Sequence, residues 1–223
     1  MFNDNTFTFL NELAQNNDRE WFKANQTRYE ENVRTPALNL IEAMAPGINN
    51  LSPKLLAVAK KVGGSLMRVQ RDTRFSHNKQ PYKTNVGIQF RHFLGKDVHA
   101  PGLYLHIAND ECFLGAGMWR PEGKALNAIR HCMDENPNAY KKALTTLTAA
   151  GFELTGEALQ RPPRGYDKNH PLIEELKRKD FIAFKNFDRQ IATSTDFPDW
   201  LLSQWQHTQP LMHYLCFALE LDY

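Results

Sequence analysis

The spacing of β-rich runs in the middle of the chain is the feature that most constrains its fold. Three such runs follow one another closely, at residues 86–93, 103–107 and 112–119. In the first run Val86, Ile88 and Phe90 alternate with glycine or polar residues, which indicates a strand with one buried face. Parallel strands need a long, usually helical, crossover connection, and no helix-length segment separates these runs. The sequence therefore predicts an antiparallel sheet, with Asn109 and Asp110 at a hairpin turn.

Residues with helical spacing flank this region on both sides. We expect Asn5 or Thr6 to cap a first helix, Asp18 to cap a second, and Pro36 to open a third that ends at Pro46. Further helices are predicted from the C-terminal pattern at residues 121–133, 138–150, 171–178 and from about 199 onward. Further extended segments are predicted at residues 65–71, 151–155 and 181–184.

These elements predict an α+β fold, in which a mostly antiparallel central sheet packs with helices from the N- and C-terminal parts. The apolar fraction of 42% and the charged fraction of 23% are ordinary for a globular protein with a real core. No low-complexity tract or flexible linker divides the chain. We therefore expect residues 1–223 to form a single α+β domain.

Composition also excludes several classes of protein. The net charge of +2 is too small for a general polyanion binder. No window approaches the roughly 18 apolar residues that span a bilayer, and the N-terminus lacks the pattern of a signal peptide. The cysteines Cys112, Cys132 and Cys216 are widely spaced, as expected of reduced thiols. We expect a cytoplasmic protein with no membrane contact, no metal and no cofactor.

Positive charge is concentrated in one short stretch. Five basic residues and a single acidic one, Asp72, lie between Arg68 and Asn85. So many like charges repel one another unless a counter-charge arrives from elsewhere, and arginine and lysine side chains suit phosphate and carboxylate groups. Asp72 cannot balance the charges alone and is expected to orient one guanidinium. The stretch therefore predicts a site for an anionic group.

The same stretch carries a specific pattern, R-x-x-R-D-x-R-F-x-x-x-K-x-P-Y-K-x-N. Its specified positions are Arg68, Arg71, Asp72, Arg74, Phe75, Lys79, Pro81, Tyr82, Lys83 and Asn85. This pattern resembles the signature of a mainly bacterial family, domain of unknown function 2461. Residues 17–25 and 161–171 also resemble that family, so the resemblance implies a full-length member. It implies no reaction, and whether the protein is an enzyme stays open.

A second loop supplies further candidates. Residues 161–171 carry arginine, tyrosine, lysine and histidine on a backbone stiffened by proline and glycine. We expect this loop to fold over the basic stretch and line a shared pocket. The predicted anion-binding residues are then Arg68, Arg71, Asp72, Arg74, Lys79, Tyr82, Lys83, Arg161, Arg164 and Tyr166.

Other interpretations of these residues stay open. The basic side chains could instead form an internal ion-pair network with acidic helix residues. The acidic candidates for that network are Glu12, Glu20, Glu30 and Glu31. His92, His99 and His106 recur at intervals of seven residues, which does not converge on one metal ion. By residue type alone, His106 is the best candidate for a general base.

Two functions of different classes fit the sequence. The first is a pocket for a phosphorylated or carboxylated small molecule, in which Tyr82 could donate a hydrogen bond. The second is a nucleic-acid or protein-binding module that uses the same basic surface. The low net charge disfavours a broad phosphate-backbone footprint. A concave site would favour the small ligand, and a flat face with Phe75 or Tyr82 exposed would favour nucleic acid.

Overall fold

A computed structural model describes residues 1–95 and 101–223 of the protein. His99 lies outside the described residues. The described strands form a five-stranded antiparallel sheet in the order β1-β2-β3-β5-β4. Their bounds are β1 Asn85–Arg91, β2 Gly102–Ala108, β3 Cys112–Met118, β4 Glu153–Thr155 and β5 Phe181–Asn186.

The helices precede, interrupt and follow these strands in the chain. Before the sheet lie α1 Asp4–Gln15, α2 Arg19–Ala24, α3 Gln26–Tyr29, a π-helical turn Glu30–Arg34 and α4 Thr35–Leu51. After β3 lie α5 Gly123–Glu135, α6 Pro137–Ala149, α7 Ile173–Leu176, α8 Arg189–Ala192, α9 Phe197–Gln206 and α10 Gln209–Ala218. The predicted α+β fold class is confirmed. None of the helices in residues 1–95 and 101–223 is both long and apolar enough to cross a membrane.

The two faces of the sheet differ because alternate residues point to opposite sides. Phe90, Leu103 and Ala116 lie in one cross-strand row and are buried on the face that packs against the helices. On that face Trp205 of α9 is fully buried, contacts Phe90 edge-on and donates from its indole N–H to the Gly115 carbonyl at 3.2 Å. The row of side chains on the other face of the sheet runs through Gln89. This second face has a partly open surface.

Several helix boundaries differ from the predictions. Asp18 caps α2 as predicted, but α1 is capped by Asn3, whose side chain accepts from the backbone N–H groups of Asn5 and Thr6. The prediction that Pro46 ends α4 is wrong, because that helix continues to Leu51. A proline removes only one backbone donor, and packing of the buried face outweighs that local cost.

The C-terminal and 65–71 segments also differ from expectation. The single final helix is divided into α9 and α10, and the Thr208 hydroxyl between them donates to the Trp205 carbonyl. Residues 65–71 form isolated bridges instead of a regular strand. Leu66 pairs with Ile88 and Gln70 with Tyr82. The segment therefore lies beside β1 at Leu66 and beside the residues that precede β1 at Gln70.

Candidate functional site

The basic stretch forms an irregular hairpin at the edge of β1. Its base follows β1, since Met67 N–H donates to the Gly87 carbonyl and Gln89 N–H donates to the Ser65 carbonyl. Further along, Lys83 N–H donates to the Val69 carbonyl and Arg71 N–H donates to the Pro81 carbonyl. Residues 72–80 form the tip. The pairing holds residues 68 and 83 on neighbouring segments, which explains how these two cations meet.

An amide side chain and a ring contact attach the hairpin to the N-terminal helices. The Asn17 side chain donates to the Tyr82 carbonyl and accepts from the Tyr82 N–H, both at 3.0 Å. The Tyr82 ring stacks on Phe22, with ring centroids 4.0 Å apart. Asn17 and Phe22 belong to the 17–25 stretch, so two of the three family-like stretches are in contact. Tyr82 packs against the core and does not line the cleft described next.

Three cations line a cleft of about 400 Å³ beside the base of the hairpin. They are Arg68 and Lys83 from the hairpin and Arg91 from the end of β1. Residues 56–65 and the side chains of Met67 and Gln89 supply most of the remaining wall. The sequence interpretation missed Arg91, although its alternation with Val86, Ile88 and Phe90 already placed it on the face away from the core.

Desolvation and like charge act on the lysine in this cleft. Burial lowers the pKa of Lys83, and the nearby Arg68 guanidinium lowers it further. Within residues 1–95 and 101–223, no side-chain ion pair or hydrogen bond compensates Arg68, Lys83 or Arg91. Arg68 is exposed and lies near Asp72, whereas Lys83 and Arg91 are half-buried. Like charges collected in one cleft are unfavourable for folding, so this arrangement favours a functional role over a structural one.

The other polar residues of the hairpin lie mainly at its tip. Asp72 lines the edge of the cleft, and its carboxylate accepts from both the Nε and the Nη2 of Arg74 at 3.0 and 2.6 Å. Hydrogen bonds from Arg74 hold the pKa of Asp72 far below its ordinary value. The prediction that Asp72 orients one guanidinium is confirmed. Lys79 donates to the Thr73 carbonyl, and Phe75 is 94% exposed.

The alternative ion-pair network does not form in the part of the chain that the structure describes. Glu12 pairs with Arg28 there, and Glu30 pairs with Arg34 and Lys61. Neither Glu20 nor Glu31 pairs with a basic residue of the hairpin in that part. The positive charge of the cleft is therefore not balanced by the acidic helix residues that the sequence offered.

The 161–171 loop lies at the other edge of the sheet. It follows β4, and His170 contacts Asp134 of α5 at 3.1 Å, while Tyr166 packs edge-on against His170. Four strand spacings, about 19 Å, separate β1 from β4. The prediction of a shared pocket is therefore wrong. Arg161, Arg164 and Tyr166 do not join Arg68 and Lys83, because strand order separates the two stretches.

A second depression lies on the open sheet face, next to the cationic cleft. This apolar trough has a volume of about 540 Å³. Its apolar lining consists of Met67, Tyr104, Phe113, Trp119, Ile182 and Phe184, with Gly102, Gly115 and Gly117. Leu103 and Ala116 also border it, although their side chains lie on the core face. Gln89, Glu111, Thr155 and Asn186 supply polar groups to it. No sequence motif marked this surface, because its members come from several strands.

His106 lies beside the trough in a polar cluster. Its Nδ1 is 3.3 Å from both the Asn85 amide nitrogen and the Tyr104 hydroxyl, and its ring stacks on Phe113. Burial lowers the pKa of His106, whereas the nearby Glu111 raises it. Burial raises the pKa of Tyr104 to about 12, so this hydroxyl remains a neutral hydrogen-bonding group. His106 does not line either depression, so the structure gives its general-base role no support.

Metal-ligating and nucleophilic groups do not cluster in the described residues. Residues 1–95 and 101–223 contain no group of three or more His, Cys, Asp or Glu side chains arranged to hold a metal ion. Cys112, Cys132 and Cys216 are buried and free. Burial raises the pKa of Cys112 and raises that of Cys216 to about 12, which disfavours the reactive thiolate.

Fold and site together define an α+β protein with a cationic cleft and an apolar trough on one sheet face. The chain belongs to the conserved hypothetical protein family DUF2461, whose match covers residues 5–214. No curated protein and no solved structure matches the chain.

Proposed function

We propose that the protein binds an anionic small molecule, phosphorylated or carboxylated, in the cationic cleft. Arg68, Lys83 and Arg91 hold the anion, and Arg74 neutralises Asp72 at the rim. The observation that supports this proposal is the convergence of three cations on one cleft whose lining acid, Asp72, is hydrogen-bonded to Arg74. An anion would replace the lost hydration of these groups with charge-assisted hydrogen bonds.

The proposal is tested with inorganic phosphate, nucleotides and small organic acids in a thermal-shift screen, followed by calorimetry. We expect at least one anion to stabilise the wild-type protein and expect Arg68→Ala to weaken its affinity at least about tenfold. Lys142→Ala removes one positive charge from the exposed surface of α6 and is the matched control. Equal binding by wild type and Arg68→Ala, or equal losses in both variants, would overturn the proposal.

A second candidate function, nucleic-acid binding, has support from the hairpin tip. Phe75 is 94% exposed, and the Arg74 guanidinium lies 5.8 Å from the centre of its ring. Exposed aromatic rings beside arginine suit stacking on single-stranded bases. Fluorescence anisotropy with a labelled oligonucleotide tests it. Binding that weakens with salt and with Phe75→Ala would support this function, whereas no binding at low salt would exclude it.

We also propose that this binding takes place in the bacterial cytoplasm. The free, buried state of all three cysteines supports a reducing compartment. Thiol titration of the protein, purified without reductant and then denatured, is expected to find three free thiols. Disulfide-linked cysteines in that sample would contradict the proposal.

A further inference from the structure

The cationic cleft and the apolar trough adjoin at β1. Met67 and Gln89 line both depressions and form the border between them. The shared residues lie at β1, where Gln89 projects from the open face and Met67 lies against Gly87. Methionine adapts readily to irregular contacts, which suits a boundary between a charged and an apolar region. An occupant of the cleft reaches the trough by passing over these two side chains.

The strand register gives the dimensions of this surface. One cross-strand row runs from Gln89 through Tyr104 and Gly115 to Phe184. Three strand spacings separate β1 from β5 along this row, which gives a length of about 14 Å. Gly115 has no side chain, so the row is low at its centre and bordered by rings on both sides. The result is an elongated trough that extends from the cations.

The lining of the trough is mainly apolar and half-exposed. Tyr104, Phe113, Ile182 and Phe184 are each partly accessible. Neighbouring rings are inclined, with Phe113 at 51° to Tyr104 and perpendicular to Phe184. Rings in this arrangement surround a flexible apolar body better than they provide a flat stacking platform. Contiguous apolar surface that stays accessible in a folded protein is typical of a binding site.

We infer that the ligand is a single-chain anionic amphiphile, with a carboxylate or phosphate head in the cationic cleft and an apolar chain along the trough. This inference rests on the proposed anion binding. Charge complementarity fixes the head beside Arg68, Lys83 and Arg91. The chain then crosses the shared border at Met67 and Gln89 and extends toward Phe184. A bare inorganic anion would leave the apolar surface exposed to water. Burial of the chain supplies the larger part of the affinity.

The first experiment measures how affinity depends on the chain of the ligand. Alkyl carboxylates and alkyl phosphates of increasing length are titrated by calorimetry, each below its micelle concentration. We expect affinity to rise by up to about fourfold per added CH₂ until the trough is filled, and then to level off. Comparison of the two series identifies the head group. An alkyl maltoside and an alkyl trimethylammonium ion of equal chain length are the controls, and both are expected to bind at least about tenfold more weakly.

The second experiment changes the trough without changing the cleft. A Cβ atom at Gly115 would make only ordinary contacts, the nearest with the Ala183 carbonyl oxygen at 3.6 Å. Gly115→Val is therefore expected to fold, to fill the centre of the trough and to weaken long-chain binding about tenfold. Phe184→Ala is expected to act similarly, and Phe217→Ala, at a 68% exposed position on α10, is its control.

The outcomes separate the two proposals. One outcome is that short anions bind the wild type but not Arg68→Ala, and that longer chains do not raise the affinity. This result would overturn the amphiphile inference and leave anion binding intact. Long chains that bind equally with anionic and neutral heads, and equally to Arg68→Ala, would overturn anion binding. Equal long-chain affinity of wild type and Gly115→Val would also contradict the chain position assigned to the trough.

Discussion

Single polar side chains attach several loops of this protein to its sheet. Asp180 is 2% exposed, and its two carboxylate oxygens accept from the backbone N–H groups of Arg120 and Glu157 at 2.7 and 2.8 Å. One side chain thus fixes both the segment after β3 and the segment after β4. Gly156 lies so close to Asp180 that a Cβ atom there would be 2.4 Å from the Asp180 Cβ. A side chain at position 156 would therefore displace Asp180 and weaken both hydrogen bonds.

Asp180→Asn is expected to lower the free energy of unfolding by about 1–3 kcal/mol. The change preserves shape but turns an NH₂ group toward a backbone N–H that needs an acceptor. Urea denaturation measures the loss. Asp110→Asn, at an exposed position in the β2–β3 turn, is the control and is expected to change stability by less than about 0.5 kcal/mol. Equal stability of the two variants would show that the buried hydrogen bonds are unimportant.

Lys83 is a residue whose charge opposes folding. Because folding lowers the pKa of Lys83, the unfolded chain binds the Lys83 proton more tightly than the folded chain does. The contribution of Lys83 to stability therefore rises as pH increases from the lowered pKa toward about 10.4, the ordinary value of a lysine. Below the lowered pKa the unfavourable contribution is complete. The charge of Lys83 in the cleft therefore lowers the free energy of unfolding.

Lys83→Met is expected to raise the free energy of unfolding at about pH 7 by roughly 0.5–1 kcal/mol, a figure kept small because the group is partly solvated. The gain is expected to shrink toward about pH 10, where the wild-type lysine begins to lose its charge in the folded state. Urea denaturation at both pH values measures the difference, with Lys142→Met as control. A variant less stable than the wild type would indicate that Lys83 has a structural partner.

At the scale of elements, two glycines in β3 have opposite requirements. Gly117 has a φ of +127°, and a Cβ atom there would lie 1.9 Å from the Phe181 carbonyl oxygen of β5. Gly115 has neither a positive φ nor a close contact at the position of a Cβ atom. The absence of a side chain at Gly117 therefore allows β3 and β5 to pair closely.

Gly117→Ala is expected to lower the free energy of unfolding by at least about 2 kcal/mol, because the methyl group would force β3 away from β5. Gly115→Ala in the same strand is the matched control and is expected to change it by less than about 1 kcal/mol. Thermal and urea denaturation of both variants test the difference. Equal losses would show that strand propensity, and not contact with Phe181, decides the effect.

At the scale of the whole molecule, the buried apolar side chains form a cluster that includes residues from Phe2 to Leu215. It joins the N-terminal helices, the sheet and the C-terminal helices through one contiguous set of contacts. We therefore propose that residues 1–223 fold as a single domain. The five-stranded order requires pairing between β3 and β5, which are distant in sequence, so the sheet cannot be completed by local contacts alone.

A single cooperative unfolding transition is the expected consequence. Far-UV circular dichroism and tryptophan fluorescence are expected to give coincident urea transitions. The tryptophans report on separate parts of the chain, because Trp21 lies in α2, Trp119 follows β3, and Trp200 and Trp205 lie in α9. Two separated transitions, with one probe changing before the other, would show that the chain folds as independent units.

Local sequence patterns predicted much of the fold. Alternation in β1 separated its core face from its open face, and Asp18 marked the start of α2. The boundaries at Asn3 and Pro46 could not be predicted in the same way. Several polar residues near α1 can serve as caps, and a proline in α4 is tolerated only because tertiary packing outweighs its local cost.

By itself, the sequence determined the location of the basic hairpin, because charge density and a specific pattern are properties of contiguous residues. Only the tertiary structure decided which cations converge. It added Arg91 to Arg68 and Lys83, left Arg74 at the exposed tip and placed Arg164 at the far edge of the sheet. The trough was likewise decided by strand order. Side chains from different strands meet through non-local pairing, and no local pattern records which strands become neighbours.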